Sequence, residues 1–367
     1  MFVAISLVFL FSFPSAAKEV GRKPTSVSIK SFDGFPLRTE INIPKKLNKS
    51  QVKSVVIFVH GSGPHDLNED LSEVTSPPGT SNLFFKDISD NFLRKGIATL
   101  RYNKRAYEAK LRLEMDAKYK TSSEFKSYLA HPLNYLVKDL AFFVDFAHKE
   151  FPNAKINILG HSEGTQVALI VASQKKFVHG TALIGFTNEP TTTSVFEQFV
   201  YRSQGHFKQL DKNSDEILDQ AELSADSEVA QSLKKQLPIL DLNRDGMISL
   251  SEYKAGNYSN LVLQKLPSDE YRADQALLPI PSDLIKSAKH KILFLQGEWD
   301  NQTPQCFTQA IQLVNQNTWK KTSLKFIYFP KAGHALDPRD SYEDIMYKKT
   351  PQETLEKMTS EVAKFFN

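Results

Sequence analysis

Between residue 25 and the C-terminus, short apolar runs that stop at glycines or turns alternate with longer amphipathic segments. That alternation limits the possible folds more than any single motif does. KSVVIFVHGSG (53–63) is an almost unbroken apolar run ending in glycines, as expected of a strand buried on both faces. FKDISDNFLRKG (85–96) is amphipathic, IATLRY (97–102) is strand-like, and NYLVKDLAFFVDFAHKEF (134–151) repeats its apolar residues every three and four positions, as a helix does. KINILGHSEG, TQVALIVASQ and GTALIGF continue the pattern, and HKILFLQGE, TPQCFTQAIQLVNQ, LKFIYFP and PQETLEKMTSEVAKFF complete it. Ahead of them, SVSIKSFDGFPLRTEINIP reads as two strands joined by a hairpin turn at Asp33-Gly34. The fold class expected is α/β: a mostly parallel sheet with helices on both faces. The rhythm breaks over residues 187–287, which read as an insertion between a first core part (18–186) and a second (288–367).

A chain of 367 residues with 41% hydrophobic and 24% charged residues is long enough for one large core and a smaller unit beside it. The net charge of +4 is small, and Lys and Arg are scattered, so nothing points to nucleic acid as a partner. The apolar run Phe2 to Phe13, then Pro14, Ser15 and Ala17, reads as a signal peptide (1–17) cleaved after Ala17, although it lacks a basic n-region. It is shorter than the roughly 20 residues of a bilayer span, so the expectation is an exported, periplasmic or secreted protein with no stable membrane anchor after cleavage. The single Cys306 excludes an internal disulfide.

Ser162 stands in Gly160-His161-Ser162-Glu163-Gly164, between a strand and a helix, the setting in which a G-x-S-x-G serine is projected from the sheet edge as a nucleophile. An unassisted serine hydroxyl is a weak nucleophile and needs a base. Of nine histidines, His334 is the one that follows the last strand, in Lys331-Ala332-Gly333-His334. The carboxylate that would orient it is Asp300, in GEWDNQTP after the strand KILFLQG, with Glu298 as the competitor. An oxyanion needs two donors. The backbone N–H of Glu163 is one, and Ser62 in His60-Gly61-Ser62-Gly63 is the best candidate for the other.

Together HGSG, RYNKR, GHSEG, GEWD and GHA resemble, in order and spacing, the α/β-hydrolase superfamily. HGSGPHDLNED, TLRYNKRA and LGHSEG are similar to the exported bacterial serine hydrolases related to serine aminopeptidases and acyl esterases. The resemblance covers about residues 25–186 and 288–366. It implies a serine hydrolase that cleaves an ester, thioester or amide of a small-molecule acyl substrate through an acyl-enzyme intermediate, with no cofactor for the chemistry itself.

The inserted segment carries a different signal. DLNRDGMISLSE (241–252) meets the pattern of a twelve-residue calcium loop. Its ligands would be Asp241, Asn243, Asp245, the carbonyl of Met247, Ser249 through water and Glu252, with Gly246 at the turn. Thirty residues earlier DKNSDEILDQAE offers Asp211, Asn213, Asp215, the carbonyl of Ile217, Asp219 and Glu222 in the same six positions. Two EF-hands paired through Leu218 and Ile248 are expected, in a helical cap. Glu216 replaces the turn glycine of the first loop and should strain it, and Pro238 should shorten the helix entering the second. Calcium in such a cap is either structural or regulatory. The competing function class is a calcium-binding protein on a catalytically inactive hydrolase scaffold. Three further expectations concern the core: that His65, Asp66, Glu69 and Asp70, which could bind a metal, instead make loop hydrogen bonds and ion pairs, with Arg101 or Arg105 as candidate partners, that residues 65–83 form a mobile flap, and that the lysine-rich segment 104–120 is a solvated helix or loop.

Overall fold

The computed structural model describes residues 25–264, 268–344 and 346–366; the expected signal peptide lies outside them. Among the described residues no helix is long and apolar enough to cross a membrane.

The strands β1 (Thr25–Lys30) and β2 (Pro36–Asn42) form the expected antiparallel hairpin, turning at Gly34 with φ +86°. After them come β3 (Ser54–Val59), α1 (Phe84–Arg94), β4 (Ala98–Tyr102), α2 (Arg105–Met115), α3 (Ser123–Ala130) and α4 (Pro132–Glu150). The centre of the sheet is completed by β5 (Lys155–His161), α5 (Glu163–Gln174) and β6 (Val178–Ile184). Between β6 and β9 run α6 (Thr191–Phe196), α7 (Gln204–Leu210), β7 (Ile217–Leu218), α8 (Glu228–Leu240), β8 (Ile248–Ser249), α9 (Leu250–Gln264), α10 (Asp269–Ala276) and α11 (Pro281–Ser287). The chain closes with β9 (Lys291–Gly297), α12 (Gln305–Val314), β10 (Leu324–Phe329) and α13 (Gln352–Phe366).

The large sheet has the order β1-β2-β4-β3-β5-β6-β9-β10 and is parallel from β4 onward. This is a mostly parallel α/β sheet of the α/β-hydrolase kind. Alternation along β3 explains why both faces are covered. Val55, Ile57 and Val59 pack with Leu140, Phe143 and Val167 of α4 and α5, whereas Val56 and Phe58 pack with Phe85, Phe92 and Met358 of α1 and α13. Because the strands are parallel, the loops after β3, β5, β9 and β10 all leave from one edge, where open α/β sheets place their ligands.

The segment between β6 and β9 contains its own small core, in which Phe207, Leu210, Leu218, Leu240, Ile248 and Tyr253 come together. Two helix–loop–helix units meet there through an antiparallel bridge that pairs Leu218 with Ile248. Pro238 does not shorten the entering helix: α8 runs through it to Leu240. At that position proline removes one N–H and leaves the last turn otherwise intact. The helix leaving the first loop is reduced to one tight turn, Glu222–Ser224.

Candidate active site

Ser162 has φ +55° and ψ −123°, a backbone state that L-residues adopt only when the surroundings enforce it. The glycines around it are what make this turn possible. A Cβ on Gly160 would lie 2.4 Å from the Gly164 carbonyl oxygen, and one on Gly164 would lie 2.3 Å from the carbonyl oxygen of Val59. The first turn of α5 is thereby pressed onto the end of β3. Glu163 is the first residue of α5, so its N–H belongs to the unpaired donors of a helix start. The HGSG loop crosses close to the nucleophile position, since a Cβ on Gly61 would meet the Ser162 Cβ at 3.1 Å. Ser62 in that loop is exposed, and its carbonyl oxygen lies 2.6 Å from the His65 Nε2.

His334 and Asp300 are both buried, with His334 Nδ1 at 2.9 Å from Asp300 Oδ2. A carboxylate only accepts, so Nδ1 carries the proton and Nε2 is the bare nitrogen of the neutral ring. Glu298 makes no such contact and only donates its backbone N–H to the Phe329 carbonyl. Asp300 is fixed on every side: Gln302 N–H and Thr303 N–H each donate to Oδ1 at 2.9 Å, and Thr303 Oγ1 and Gln296 Nε2 donate to Oδ2 at 2.8 and 3.1 Å. Burial pushes its pKa up, but the His334 ring and these donors outweigh burial and hold it below the usual carboxylate range. The loop bearing His334 is braced by a buried Arg339–Asp337 pair at 2.9 Å and by Gly333, whose missing Cβ leaves room for the Arg339 side chain.

Three buried or half-buried side chains at the site are not singled out as site residues by the sequence. Lys104 Nζ donates to the Gly61 carbonyl and to Glu163 Oε2, both at 2.7 Å, so it ties the HGSG loop to the start of α5. Tyr271, from α10 of the inserted segment, donates its hydroxyl to the other Glu163 oxygen. Glu69 Oε1 accepts from Gly61 N–H at 2.8 Å and lies 3.0 Å from His161 Nδ1. The loop makes the expected hydrogen bonds, with Asp66 accepting from the Asn68 and Asp70 N–H groups and Asp70 from that of Ser72, but its carboxylates do not pair with Arg101 or Arg105. Arg101 bonds Glu40 and Asn68, and Arg105 is held by Asp33 and Asp139. Leu67, Glu69, Leu71, Thr75 and Asn82 are buried and Asp70 bridges to Leu83, so residues 65–83 are packed against the core rather than forming a free flap.

The segment 104–120 is the expected solvated stretch at Lys110, residues 114–118 and Lys120, but Lys104, Arg105 and Ala109 are buried. Ala109 and Leu113 of α2, Phe125 and Leu129 of α3, Leu133 and Leu136 of α4, and Val195 of α6 line a cavity of about 580 Å³. Ser62, Lys104, Glu163 and Tyr271 line the same cavity, which joins it to both candidate oxyanion residues.

In the inserted segment the two acidic loops match bond for bond. Asp211 accepts from the N–H groups of Asp215 and Glu216 as Asp241 accepts from those of Asp245 and Gly246. Asn213 and Asn243 each donate to the aspartate two residues on. Glu222 takes the N–H groups of Lys212 and Asp219, and Glu252 takes those of Leu242 and Ser249. The Ser249 N–H and hydroxyl, with the other loop donors, hold the Glu252 carboxyl below its ordinary range. Ile217 and Met247 close the same turn, each donating its N–H to the aspartate two residues earlier at 2.9 Å. Glu216 and Gly246 share the left-handed conformation, with φ +62° and +82°. Among the described residues no three His, Cys, Asp or Glu side chains are gathered as a ready metal site. The loop carboxylates face backbone N–H groups instead.

A family model described as BAAT / Acyl-CoA thioester hydrolase C terminal matches residues 132–339, more than half of the chain and a span that includes Ser162, Asp300 and His334. Esterase EstD of Thermotoga maritima is 27% identical over 196 residues, which are 52% of this chain and 41% of that protein, so the match spans less than half the length of this relative. Among solved structures, Est1E from Butyrivibrio proteoclasticus has a TM-score of 0.47 at 13% identity, over 93% of this chain and 98% of its own. The dienelactone hydrolase of Anabaena variabilis has 0.46 at 12% identity, over 95% and 97%. By its sequence match over the segment that holds this site, the chain belongs to the BAAT / acyl-CoA thioester hydrolase C-terminal family.

Proposed function

We propose that the protein is a serine hydrolase that cleaves an ester, thioester or amide bond through an acyl-enzyme intermediate, with Ser162, His334 and Asp300 as its triad. The observation that carries the reading is the buried His334–Asp300 pair at 2.9 Å, on the same sheet edge as a serine held at positive φ. In this reading Ser162 Oγ attacks the carbonyl carbon while His334 Nε2 takes its proton. The N–H groups of Glu163 and Ser62 receive the oxyanion, His334 returns the proton to the leaving group, and water releases the acyl group by the same route. Asp300 stabilises the imidazolium that forms in each step. Turnover of short p-nitrophenyl esters by the wild type, and its loss in Ser162→Ala, tests the assignment; wild-type turnover in the variant overturns it.

The inserted segment is proposed to be a cap with an EF-hand pair that binds calcium. The residues fit the ion: each loop turns at positive φ, pairs with the other through Leu218 and Ile248, and has its twelfth-position glutamate folded back over the loop. Asp241, Asn243, Asp245, the Met247 carbonyl and Glu252 would hold calcium in the second loop. Asp211, Asn213, Asp215, the Ile217 carbonyl, Asp219 and Glu222 would hold it in the first. Glu216 at φ +62° costs the first loop on the order of 1 kcal/mol, so the second should bind more tightly. Tyr271 connects this segment to the oxyanion side of the site through Glu163. Chelation is expected to lower Tm and shift the preference among acyl chains; identical melting with calcium and with EDTA contradicts it.

A further inference from the structure

The cavity beside Ser62 and Glu163 narrows the substrate class, resting on the hydrolase reading above. Its walls come from α2, α3, α4 and α6, and its lining is mostly hydrocarbon: Ala109, Leu113, Phe125, Leu129, Leu136 and Val195. The charges at its wall are already matched. Lys104 and Glu163 pair at 2.7 Å, and the second Glu163 oxygen takes the Tyr271 hydroxyl. No carboxylate is therefore left there to receive the ammonium of an aminoacyl substrate. Lys110 also lines the cavity, where it is exposed and 3.9 Å from Glu114. A volume of about 580 Å³ exceeds what an acetyl group fills and falls in the usual range of pockets for small organic ligands. We infer that this cavity holds the acyl chain of a medium-length, uncharged, apolar acyl ester or thioester, and that amines of aminoacyl amides are not recognised here.

Chain-length profiling tests this directly. With p-nitrophenyl acetate, butyrate, hexanoate and octanoate, kcat/KM should rise at least tenfold from acetate to octanoate, because each buried methylene adds hydrophobic binding. Leu113→Trp should remove most of that rise, read as the ratio of octanoate to acetate kcat/KM; an unchanged ratio counts against the cavity. A flat profile, or a preference for aminoacyl amides, in an enzyme whose turnover still depends on Ser162 overturns the acyl inference alone. Turnover independent of Ser162 removes the hydrolase reading instead. Calorimetry on Ser162→Ala, comparing hexanamide with acetamide, needs no turnover; equal weak binding of both also counts against the cavity.

A second observation stands apart from the cavity. His161 precedes the nucleophile, is buried, and has both ring nitrogens aimed at acceptors: Nδ1 at Glu69 Oε1 (3.0 Å) and Nε2 at the His334 carbonyl oxygen (3.3 Å). Neither acceptor carries a proton when Glu69 is ionised, so both bonds exist together only if the ring is doubly protonated. The same Glu69 oxygen receives the Gly61 N–H, so one carboxylate joins the HGSG loop, the strand end before Ser162 and the loop of His334. We propose that Glu69 and His161 are a positioning pair, a buried carboxylate–imidazolium that sets the oxyanion loop and the base loop relative to Ser162. His60, His65, Lys104, Asp300, His334 and Tyr347 are the other charged or titratable groups around it. Burial favours the neutral forms, but the attraction between the two groups prevails, raising His161 and lowering Glu69 to about 2.

Long-range proton–nitrogen correlation on labelled protein, assigned by comparison with His161→Gln, should show both His161 nitrogens protonated at neutral pH. In Glu69→Gln one of them should be bare, with kcat reduced tenfold or more and KM within about threefold. A bare His161 nitrogen in the wild type overturns the pair, and so does Glu69→Gln with unchanged kcat and a lowered Tm only, which would mark Glu69 as merely structural.

Discussion

The sheet edge and the paired loops are both built from carboxylates and their partners, but in opposite ways. At the sheet edge the charged groups are buried and their partners come from far along the chain: Glu69 meets His161 across 92 positions, and Lys104 meets Glu163 across 59. In the loops the carboxylates range from exposed (Asp215, Asp245) to buried (Asp211, Glu252) and bond backbone N–H groups within ten positions. Buried pairs of the first kind are costly to break one partner at a time, because the survivor stays unpaired in a low dielectric. Loops of the second kind are cheap to form, and their oxygens can exchange N–H partners for an ion. One region is made rigid by the fold, and in the proposed reading the other is completed by calcium.

Three measurements sharpen that contrast. The largest effect belongs to Asp300→Asn, which keeps the shape but leaves His334 in the wrong tautomer; kcat should fall by about 10³- to 10⁴-fold. The calcium-induced rise in Tm should be unchanged in this variant, and a loss of both would show that the two regions are not separable. Smaller is the effect of Glu252→Gln on the loops, expected to weaken calcium binding by about tenfold or more in calorimetry. Glu222→Gln should do less, since Glu216 already strains its loop. The reverse ranking would mean that the charge of the first loop outweighs its strain.

The smallest effect is on acid stability. Glu69 and Asp300 have pKa values depressed by folding, so each contributes stability that is present above its unfolded value and lost as pH falls through its native value. For Glu69 the window runs from its ordinary 4.5 down to about 2. His161 acts oppositely: raised above 6.5, it stabilises at low pH and loses that contribution as pH rises through its native value. The Tm of the wild type should therefore decline as pH is lowered through about 4, and Glu69→Gln should decline less steeply. Parallel acid limbs in the two proteins would contradict the buried pair.

The same contrast explains what was legible in the sequence. Twelve consecutive residues specify each loop, so Asp241 to Glu252 and their fainter copy Asp211 to Glu222 could be aligned position by position. Strand-end placement made Ser162, Asp300 and His334 candidates, because each follows a recognisable apolar run. The supporting residues had no such signal. Thr303 orients Asp300 from the start of the following helix, and Lys104 looked like one more surface lysine in a lysine-rich stretch. The hydrogen-bonding role of Glu69 was legible but its partners were not: they are decided by which loops share a sheet edge, and that is a property of strand order rather than of neighbouring residues. Pro238 misled in the other direction: it removes the N–H that would bond the Lys234 carbonyl, yet α8 runs on to Leu240.

The central claim is that Ser162 is an activated nucleophile. A fluorophosphonate probe followed by intact-mass and peptide analysis tests it without knowledge of the substrate. The prediction is one adduct per chain, on Ser162, absent in Ser162→Ala and formed at least a hundredfold more slowly in His334→Ala. An unlabelled wild-type protein that binds calcium normally, or an adduct on another residue, would contradict it and favour a calcium-binding protein on an inactive scaffold.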